Sequence, residues 1–119
     1  MNIYVSHFGN YDYETELYVP IRESSLAQKH TFFLPHEPQN ADIPAKDQLK
    51  QTDILIAEVS QPSTGQGIEI GLAAAAGVPI LCFYKEGTKP SGSLRFVTDE
   101  IIPYATTEQL LNILQARLV

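Results

Sequence analysis

A single carboxylate at the end of a Ser/Gly-rich stretch is the strongest chemical signal in this sequence. An apolar segment over residues 53–59 runs into a loop that carries Ser63-Thr64-Gly65-Gln66-Gly67, and Glu69 follows two residues later. The glycines allow a backbone to approach a ligand closely, and the hydroxyl groups add hydrogen-bond donors, which suits a sugar or a phosphate. The pattern predicts a helix over 68–76 with Glu69 in its first turn, where unpaired N–H groups favour an anion.

Two better-known nucleotide motifs do not fit this stretch. It lacks the Gly-Lys-Ser/Thr ending of a P-loop, and its glycines are spaced G-x-G-x-x-x-G instead of the dinucleotide pattern G-x-G-x-x-G. A structural interpretation also stays open, in which the glycines only shape a turn and Glu69 only stabilises the helix dipole. The residues alone favour a ligand site by a narrow margin.

The segment 57–71 resembles the signature of the nucleoside 2-deoxyribosyltransferase superfamily, and within it the branch of deoxynucleoside 5′-monophosphate N-glycosidases. The resemblance extends to residues 3–6 and 79–84. It implies that Glu69 is the nucleophile, which attacks C1′ of a 2-deoxyribosyl unit, expels the base and forms a glycosyl-enzyme ester. Water or a second base then accepts the sugar, and no cofactor is required.

The resemblance also implies roles for residues around Glu69. Tyr4 is expected to orient Glu69, and Asp47 is the candidate acid, although relatives carry an aspartate at the position of Ala45. Ser63 replaces a carboxylate found in the transferase branch, which favours a nucleotide over a nucleoside as the ligand. The expected substrate-binding residues are Ser6, His7, Ser63, Thr64, Gly65, Gly67 and Ser91.

Two other functions remain open beside the enzyme. Ala45 at the acid position, and a first loop over residues 6–12 without the Gly-Ser pair of relatives, fit a catalytically inactive module that binds a nucleotide or a sugar phosphate. A purely structural or interaction domain would bind no nucleotide at all. The enzyme ranks first because of the resemblance over 57–71, and the structural domain ranks last.

Composition restricts the partners. The 119 residues form one domain over 1–119, with 44% apolar content, and eight basic against fourteen acidic residues give a net charge of −6. This charge argues against a nucleic acid polymer but not against a small deoxynucleotide. Three basic residues next to Ser91 form a local electropositive segment: Lys85, Lys89 and Arg95.

Further expectations concern location, metals and assembly. The lone Cys82 and the lack of an apolar leader in residues 1–30 predict a cytoplasmic protein, and no apolar run approaches the roughly 18 residues of a membrane helix. His36 and Glu37 lack a third ligand at a recognisable spacing, so no metal is expected. A homodimer is expected because relatives complete their phosphate site, including the serine at the position of Ser91, across a subunit interface.

The remaining pattern predicts the elements that position these residues. Strands are predicted over 2–6, 31–34, 53–59, 79–84 and 100–104, and helices over 14–29 with a kink or split at Pro20, over 46–51, over 68–76 and from Thr106 onward. This alternation predicts an α/β fold, a flavodoxin-like or Rossmann-like three-layer sandwich with a five-stranded parallel sheet of order 2-1-3-4-5. Its ligand crevice should open at the carboxyl ends of strands 1 and 3.

Overall fold

The computed structural model describes residues 1–118. Its five strands are β1 (Asn2–His7), β2 (Thr31–Phe33), β3 (Ile54–Glu58), β4 (Ile80–Lys85) and β5 (Ile101–Tyr104). Its α-helices are α1 (Val19–Glu23), α2 (Leu26–Lys29), α3 (Ala45–Gln48), α4 (Thr64–Ala75) and α5 (Thr107–Arg117). A π-helical turn over Glu14–Tyr18 leads into α1, and 3₁₀ turns occupy Pro38–Asn40, Leu49–Gln51 and Gly92–Phe96.

The strands form one parallel sheet in the order β2-β1-β3-β4-β5, which confirms the predicted topology. The register places His7 beside Glu58 and Glu58 beside Phe83, so the carboxyl ends of the three central strands lie level with one another. The strand order reverses between β1 and β3, and this leaves a crevice at the carboxyl ends of these strands, where ligands of such folds bind.

Helices cover both faces of the sheet. On one face, Tyr4 and Leu55 pack with Ile70 and Ala73 of α4. On the opposite face, strand residues pack against α1 and α5, in a cluster that includes Ile3, Val5, Ile56, Leu81, Phe83, Ile21, Leu110 and Leu114. Because side chains alternate along a strand, Tyr4 and Ser6 of β1 point to the α4 face and His7 to the other.

Helix α4 begins four residues earlier than predicted. Ser63 has an extended backbone and its carbonyl accepts the first helical hydrogen bond from the N–H of Gly67 at 2.9 Å. The glycines that were predicted to form the loop are therefore helical. Glu69 is the sixth residue of α4, so the prediction that it lies in the first turn is wrong.

The first helical region is also divided differently from the prediction. Pro20 occupies the second position of α1, where its missing N–H breaks no helical hydrogen bond. The interruption comes at Ser24, whose backbone is extended and whose hydroxyl donates to the carbonyl of Ile21 at 2.7 Å. The region is therefore split at Ser24 and not at Pro20, because proline is tolerated in a first turn. The helix changes from a π-helical turn to α1 just before Pro20.

Side chains form two hydrogen bonds at the start of α5. Thr106 accepts from the backbone N–H of Gln109 at 3.1 Å, while the Gln109 side chain accepts from the N–H of Ala105 at 2.6 Å.

Within residues 1–118, none of the helices has the length and hydropathy that crossing a membrane requires.

Candidate active site

Glu69 lies against the carboxyl-terminal half of β1. The Tyr4 hydroxyl donates a hydrogen bond to Oε2 of Glu69, and the Ser6 hydroxyl donates one to Oε1 at 2.8 Å. Tyr4 and Ser6 are alternate residues of one strand, so both hydroxyls face α4. Both donors are buried, whereas the Glu69 side chain stays partly open to solvent. The carboxylate is thus held in a fixed orientation with one side accessible.

Burial raises the pKa of Glu69 above its ordinary value. The hydrogen bonds from Tyr4 and Ser6 and the charge of His36 act in the opposite direction, because each favours the ionised form. Burial, and then the neighbouring Glu69, raise the pKa of Tyr4, so its hydroxyl keeps its proton and remains a donor. The site therefore contains a carboxylate of raised basicity with two fixed donors.

The first turn of α4 has no side-chain cap. Ser63 occupies the N-cap position, but its hydroxyl makes no hydrogen bond to the helix backbone. The first N–H groups of a helix have no intrahelical acceptor and carry the positive end of the dipole. This helix start is a suitable place for an anionic group.

A cavity of about 280 Å³ adjoins this helix start. Ser63 and Gly67 line it from α4, and Ser91 and Ser93 line it from the turn before β5. The structure thus brings Ser63 and Ser91 together within one chain. The resemblance implied that a neighbouring subunit supplies the serine at position 91, and this cavity already contains it.

The two glycines of the first turn are not required by packing inside the protein. Gly65 and Gly67 have no positive φ, and a Cβ added to either would meet no heavy atom within 4 Å. Glycine is less favourable than alanine in a helix by about 1 kcal/mol. Thr64 between them has an exposed side chain. The open surface around these residues leaves room for a ligand on the backbone.

His7 lies on the opposite face of β1 from Glu69 and is buried. Its Nδ1 is 2.8 Å from the Phe8 carbonyl, and its Nε2 is 2.7 Å from the Tyr18 hydroxyl. Burial lowers the pKa of His7 to about 4, so the ring is neutral at pH 7. Both ring nitrogens have hydrogen-bond partners inside the protein, which is typical of a structural histidine.

Asp47 is separate from the cluster around Glu69. It lies on α3 with about half of its side chain exposed and forms an ion pair with Lys50 at 3.9 Å. Among the hydrogen bonds of residues 1–118, none joins its side chain to Tyr4, Ser6 or Glu69. Ala45, in contrast, packs against the core cluster that contains Tyr4.

The electropositive segment near Ser91 is partly neutralised. Lys85 forms an ion pair with Glu16 at 2.6 Å, and the guanidinium of Arg95 lies over the ring of Phe96. Among residues 1–118, no group of three or more His, Cys, Asp or Glu residues is placed to hold a metal ion.

Two features near the site depend on contacts between distant segments. Glu58 accepts hydrogen bonds from the Tyr104 hydroxyl, from the Ser60 N–H at 2.7 Å and from the Ser60 hydroxyl at 2.9 Å. The charge of His36, which follows β2, lowers the pKa of Glu69. Neither arrangement has a local signal, because the partners come from distant segments that only the sheet order brings together.

Comparison with known proteins gives sequence relatives and a structural neighbour. The chain is 36% identical over 73 residues to 5-hydroxymethyl-dUMP N-hydrolase of Mus musculus, covering 54% of this chain and 42% of that protein. It is 39% identical over 70 residues to a putative 2′-deoxynucleoside 5′-phosphate N-hydrolase 1 of Syntrophotalea carbinolica, covering 56% of this chain and 49% of that protein. No protein-family model matches the chain.

The structural neighbour is the CMP N-glycosidase BcmB of Clostridium botulinum. It superposes with a TM-score of 0.72 at 21% identity, covering 97% of this chain and 99% of that one. This similarity establishes the fold. The matched segment of the chain spans less than half the length of the two curated relatives above. The predicted resemblance is confirmed: the chain is similar in sequence to nucleotide N-hydrolases and shares the fold of an N-glycosidase.

Proposed function

We propose that this protein is a 2′-deoxyribosyl N-glycosidase or transferase that cleaves the N-glycosidic bond of deoxynucleoside 5′-monophosphates, or of deoxynucleosides, with Glu69 as the nucleophile. The observation that carries the proposal is the geometry of Glu69. Its carboxylate is held by the Tyr4 and Ser6 hydroxyls, remains partly accessible, and lies on the helix whose uncapped start can accept a phosphate. The names of the sequence relatives support the same chemistry.

The proposed reaction has two steps. The ionised carboxylate of Glu69 attacks C1′ as the C1′–N bond breaks, and the electron pair of that bond leaves with the base. The resulting ester is then attacked at C1′ by water or by a second base, which returns the electron pair to the carboxylate. A covalent intermediate divides one difficult displacement into two easier ones. Tyr4 and Ser6 hold the two oxygens so that the nucleophile needs little reorganisation.

The first turn of α4 is the proposed phosphate site. A 5′-phosphate there would meet the unpaired N–H groups of the helix start, with the hydroxyls of Ser63, Thr64 and Ser91 beside it. Gly65 and Gly67 would allow the phosphate oxygens to approach the backbone. The ligand proposed is therefore a small deoxynucleotide, with no cofactor and no metal.

The assignments of His7 and Asp47, made from the sequence, have less structural support than that of Glu69. His7 stays in the proposed substrate-binding set, although both ring nitrogens have protein partners and it would support the site through its contacts. Asp47 stays a candidate acid, although its position on α3 and its ion pair with Lys50 give it no contact with Glu69.

A catalytically inactive nucleotide-binding or sugar-phosphate-binding module is the second candidate. The observation that favours it is Ala45, because the position where relatives carry an aspartate here packs into the Tyr4 cluster as a methyl group. Such a module would bind deoxynucleotides tightly and release no base.

A homodimer in the cytoplasm completes the proposal. The exposed face of α4 carries Ile68 and Leu72, and Phe96 in the turn near Ser91 is 77% exposed. Large apolar side chains on one surface are typical of protein interfaces. A cytoplasmic location is supported by the lone buried Cys82. Sedimentation at micromolar concentration would reveal the dimer, and a monomer there would contradict it.

The experiment is a base-release assay on the wild type and on two variants in which a glutamate is replaced by glutamine. The purified protein is incubated with each of the four deoxynucleoside 5′-monophosphates, with and without a free acceptor base, and the released base is followed by chromatography. Glu69→Gln should lower the rate by about 10³-fold or more, because the amide cannot form the ester. Glu108→Gln, an exposed glutamate of α5, is the control and should retain the wild-type rate.

Each outcome favours a different function. Glu69-dependent release supports the glycosidase, and transfer to the added base supports the transferase. Wild-type release by Glu69→Gln removes this mechanism. Tight binding without release, measured by titration of the same nucleotides, supports the inactive module, and no saturable binding supports a structural domain.

A further inference from the structure

Helices α4 and α5 begin with the same spacing of residue types. Each has a serine or threonine at the N-cap and a glutamine three residues later: Ser63 and Gln66 in α4, Thr106 and Gln109 in α5. In a capping box, the N-cap hydroxyl accepts from the N–H of the third helical residue, whose side chain reaches back to an N–H at the cap. Helix α5 is capped in this manner, since Thr106 accepts from the Gln109 N–H and the Gln109 side chain accepts from the Ala105 N–H.

In α4 the glutamine has another partner. The Nε2 of Gln66 donates to the backbone carbonyl of Glu58 at 2.7 Å, and Gln66 is only 4% exposed. Glu58 is the last residue of β3, so the buried amide supplies a donor to a carbonyl at the carboxyl end of that strand. The Ser63 hydroxyl makes no hydrogen bond to the helix backbone. The first turn of α4 is therefore uncapped, although its sequence contains the residues of a cap.

We infer that Gln66 is a positioning residue that holds the first turn of α4 in the uncapped form that receives the 5′-phosphate, an inference that rests on the function proposed above. Because its amide is bonded to the Glu58 carbonyl, the side chain is directed into the protein and not back to the N–H of Ser63. The N–H groups of the first turn and the Ser63 hydroxyl are therefore left to a ligand. The same hydrogen bond fixes this turn against β3 before the ligand arrives, so binding requires little further ordering.

The contacts of Gln66 are separate from those of the proposed nucleophile. Gln66 is hydrogen-bonded to β3, whereas Glu69, three residues later in α4, is hydrogen-bonded to Tyr4 and Ser6 of β1. Loss of the Gln66 hydrogen bond should therefore loosen the first turn and its phosphate site while the two hydroxyls still hold Glu69. The expected kinetic signature is a raised KM with little change in kcat, which marks the loss of binding that the ground state and the transition state share.

The test compares two substitutions of similar size that each remove one hydrogen bond from a side-chain amide to a backbone carbonyl. Gln66→Met removes the hydrogen bond to the Glu58 carbonyl. Asn40→Leu is the matched control, because the Asn40 amide donates to the Leu34 carbonyl at 2.9 Å in the segment after β2. Both variants and the wild type are titrated with inorganic phosphate, assayed for KM and kcat on a deoxynucleoside 5′-monophosphate, and unfolded by heat.

We expect Gln66→Met to raise the Kd for inorganic phosphate and the KM for the nucleotide by about 10-fold, with kcat within about 3-fold of wild type. Asn40→Leu should lower the melting temperature by a similar amount, because it loses the same kind of hydrogen bond. Its Kd, KM and kcat should stay within about 2-fold of wild type. Unchanged phosphate affinity in Gln66→Met would overturn the inference, and so would an equal loss of affinity in Asn40→Leu.

A measurement on the wild type decides the inference if Gln66→Met does not fold. Amide hydrogen exchange is followed at the backbone N–H of Gln66 in α4 and of Gln109 in α5, with and without inorganic phosphate. The Gln109 N–H is held by its cap and should exchange slowly in both conditions. The Gln66 N–H should exchange fast in the free protein and slowly when phosphate binds. A Gln66 N–H that is protected as well as that of Gln109 before phosphate is added would show that α4 is capped, and would overturn the inference.

Failure of the proposed function has a different signature. If the wild type binds no inorganic phosphate and cleaves no nucleotide, the phosphate site and the role of Gln66 fall together. If phosphate binds and Gln66→Met weakens it but no base is released, the role of Gln66 stands and the catalytic function is wrong. If release depends on Glu69 while Gln66→Met binds and cleaves like the wild type, only the role of Gln66 is wrong.

Discussion

Two carboxylates at the same end of the sheet have nearly the same hydrogen-bond donors and different environments. Glu69 accepts from the hydroxyls of Tyr4 and Ser6 on the α4 face. Glu58 accepts from the hydroxyls of Tyr104 and Ser60 on the opposite face. The same pair of residue types therefore serves two glutamates, and the donors alone do not determine which one is reactive.

Solvent access and the number of hydrogen bonds distinguish Glu58 from Glu69. Glu58 is 3% exposed and accepts a third hydrogen bond from the Ser60 N–H, so it has little room for a ligand. The Ser60 hydroxyl also accepts from the backbone N–H of Lys85 at 2.8 Å, and the Gln66 amide donates to the Glu58 carbonyl at 2.7 Å. Glu58 thus ties β3, β4 and β5 to the start of α4. Glu69 lacks such links and keeps an open side.

A tyrosine and a serine hydroxyl can either belong to a full set of hydrogen-bond donors to a carboxylate or only fix its orientation. Where a backbone N–H and burial are added, the group stabilises the fold, because buried polar groups must be satisfied. Where solvent access remains, the same donors leave lone pairs for chemistry. The following experiments test whether stability and activity divide between the two sites in this way.

The largest expected effect is on stability at Glu58. Glu58→Gln should lower the free energy of unfolding by about 2–3 kcal/mol, because a charged acceptor of three hydrogen bonds is replaced by an amide whose NH₂ faces donors. Glu69→Gln should change it by less than about 1 kcal/mol, because burial already disfavours the ionised glutamate. Urea unfolding of both variants at pH 7.5 measures the difference, and equal losses would remove the distinction.

The second effect is on the pH dependence of activity. The Tyr4 hydrogen bond favours ionised Glu69 and so lowers its pKa, in opposition to burial. Tyr4→Phe removes that contribution, so the pKa of Glu69 rises and the acid limb of kcat/KM moves to higher pH. Tyr104→Phe is the matched control and should leave the acid limb unmoved. A limb that stays in place in Tyr4→Phe would show that the phenol does not tune the nucleophile.

The smallest effect is expected for the two serines. Ser60→Ala removes a hydroxyl that both donates and accepts, and should lower the free energy of unfolding by about 1–2 kcal/mol. Ser6→Ala should lower kcat by about 10-fold, roughly 1.4 kcal/mol of transition-state stabilisation, with a smaller change in stability. Thermal unfolding and steady-state kinetics on the two variants separate these effects. A kinetic loss confined to Ser60→Ala would reverse the two roles.

The sequence predicted the framework of this site well. The alternation of apolar strands with helices led to the observed strand order, since parallel strands with short connections have few alternative arrangements. It misplaced the start of α4, because glycines that are typical of turns are also tolerated in a first helical turn. The sequence identified Glu69 as a candidate, but the prediction that it lies in the first helical turn was wrong.

The parts of the site that could not be predicted depend on tertiary contacts. Tyr104 reaches Glu58 from a strand that is separated from it by β4 in the sequence and in the sheet. His36 contacts the His7 ring because β2 pairs with β1, and in the sequence it is an isolated histidine in a short segment between two prolines. Side-chain partners of this kind carry no spacing signal, so the structure was needed to find them.

The most direct test of the central claim is to trap the covalent intermediate on Glu69. The protein is mixed with a 2-fluoro-substituted deoxynucleoside 5′-monophosphate, whose electronegative substituent slows release of the sugar from the enzyme, and is quenched and measured by intact mass spectrometry followed by peptide mapping. We expect a mass increase of one fluorinated sugar phosphate on the peptide that contains Glu69, and none in Glu69→Gln. Base release without any adduct, or an adduct on another residue such as Glu58, would contradict the account.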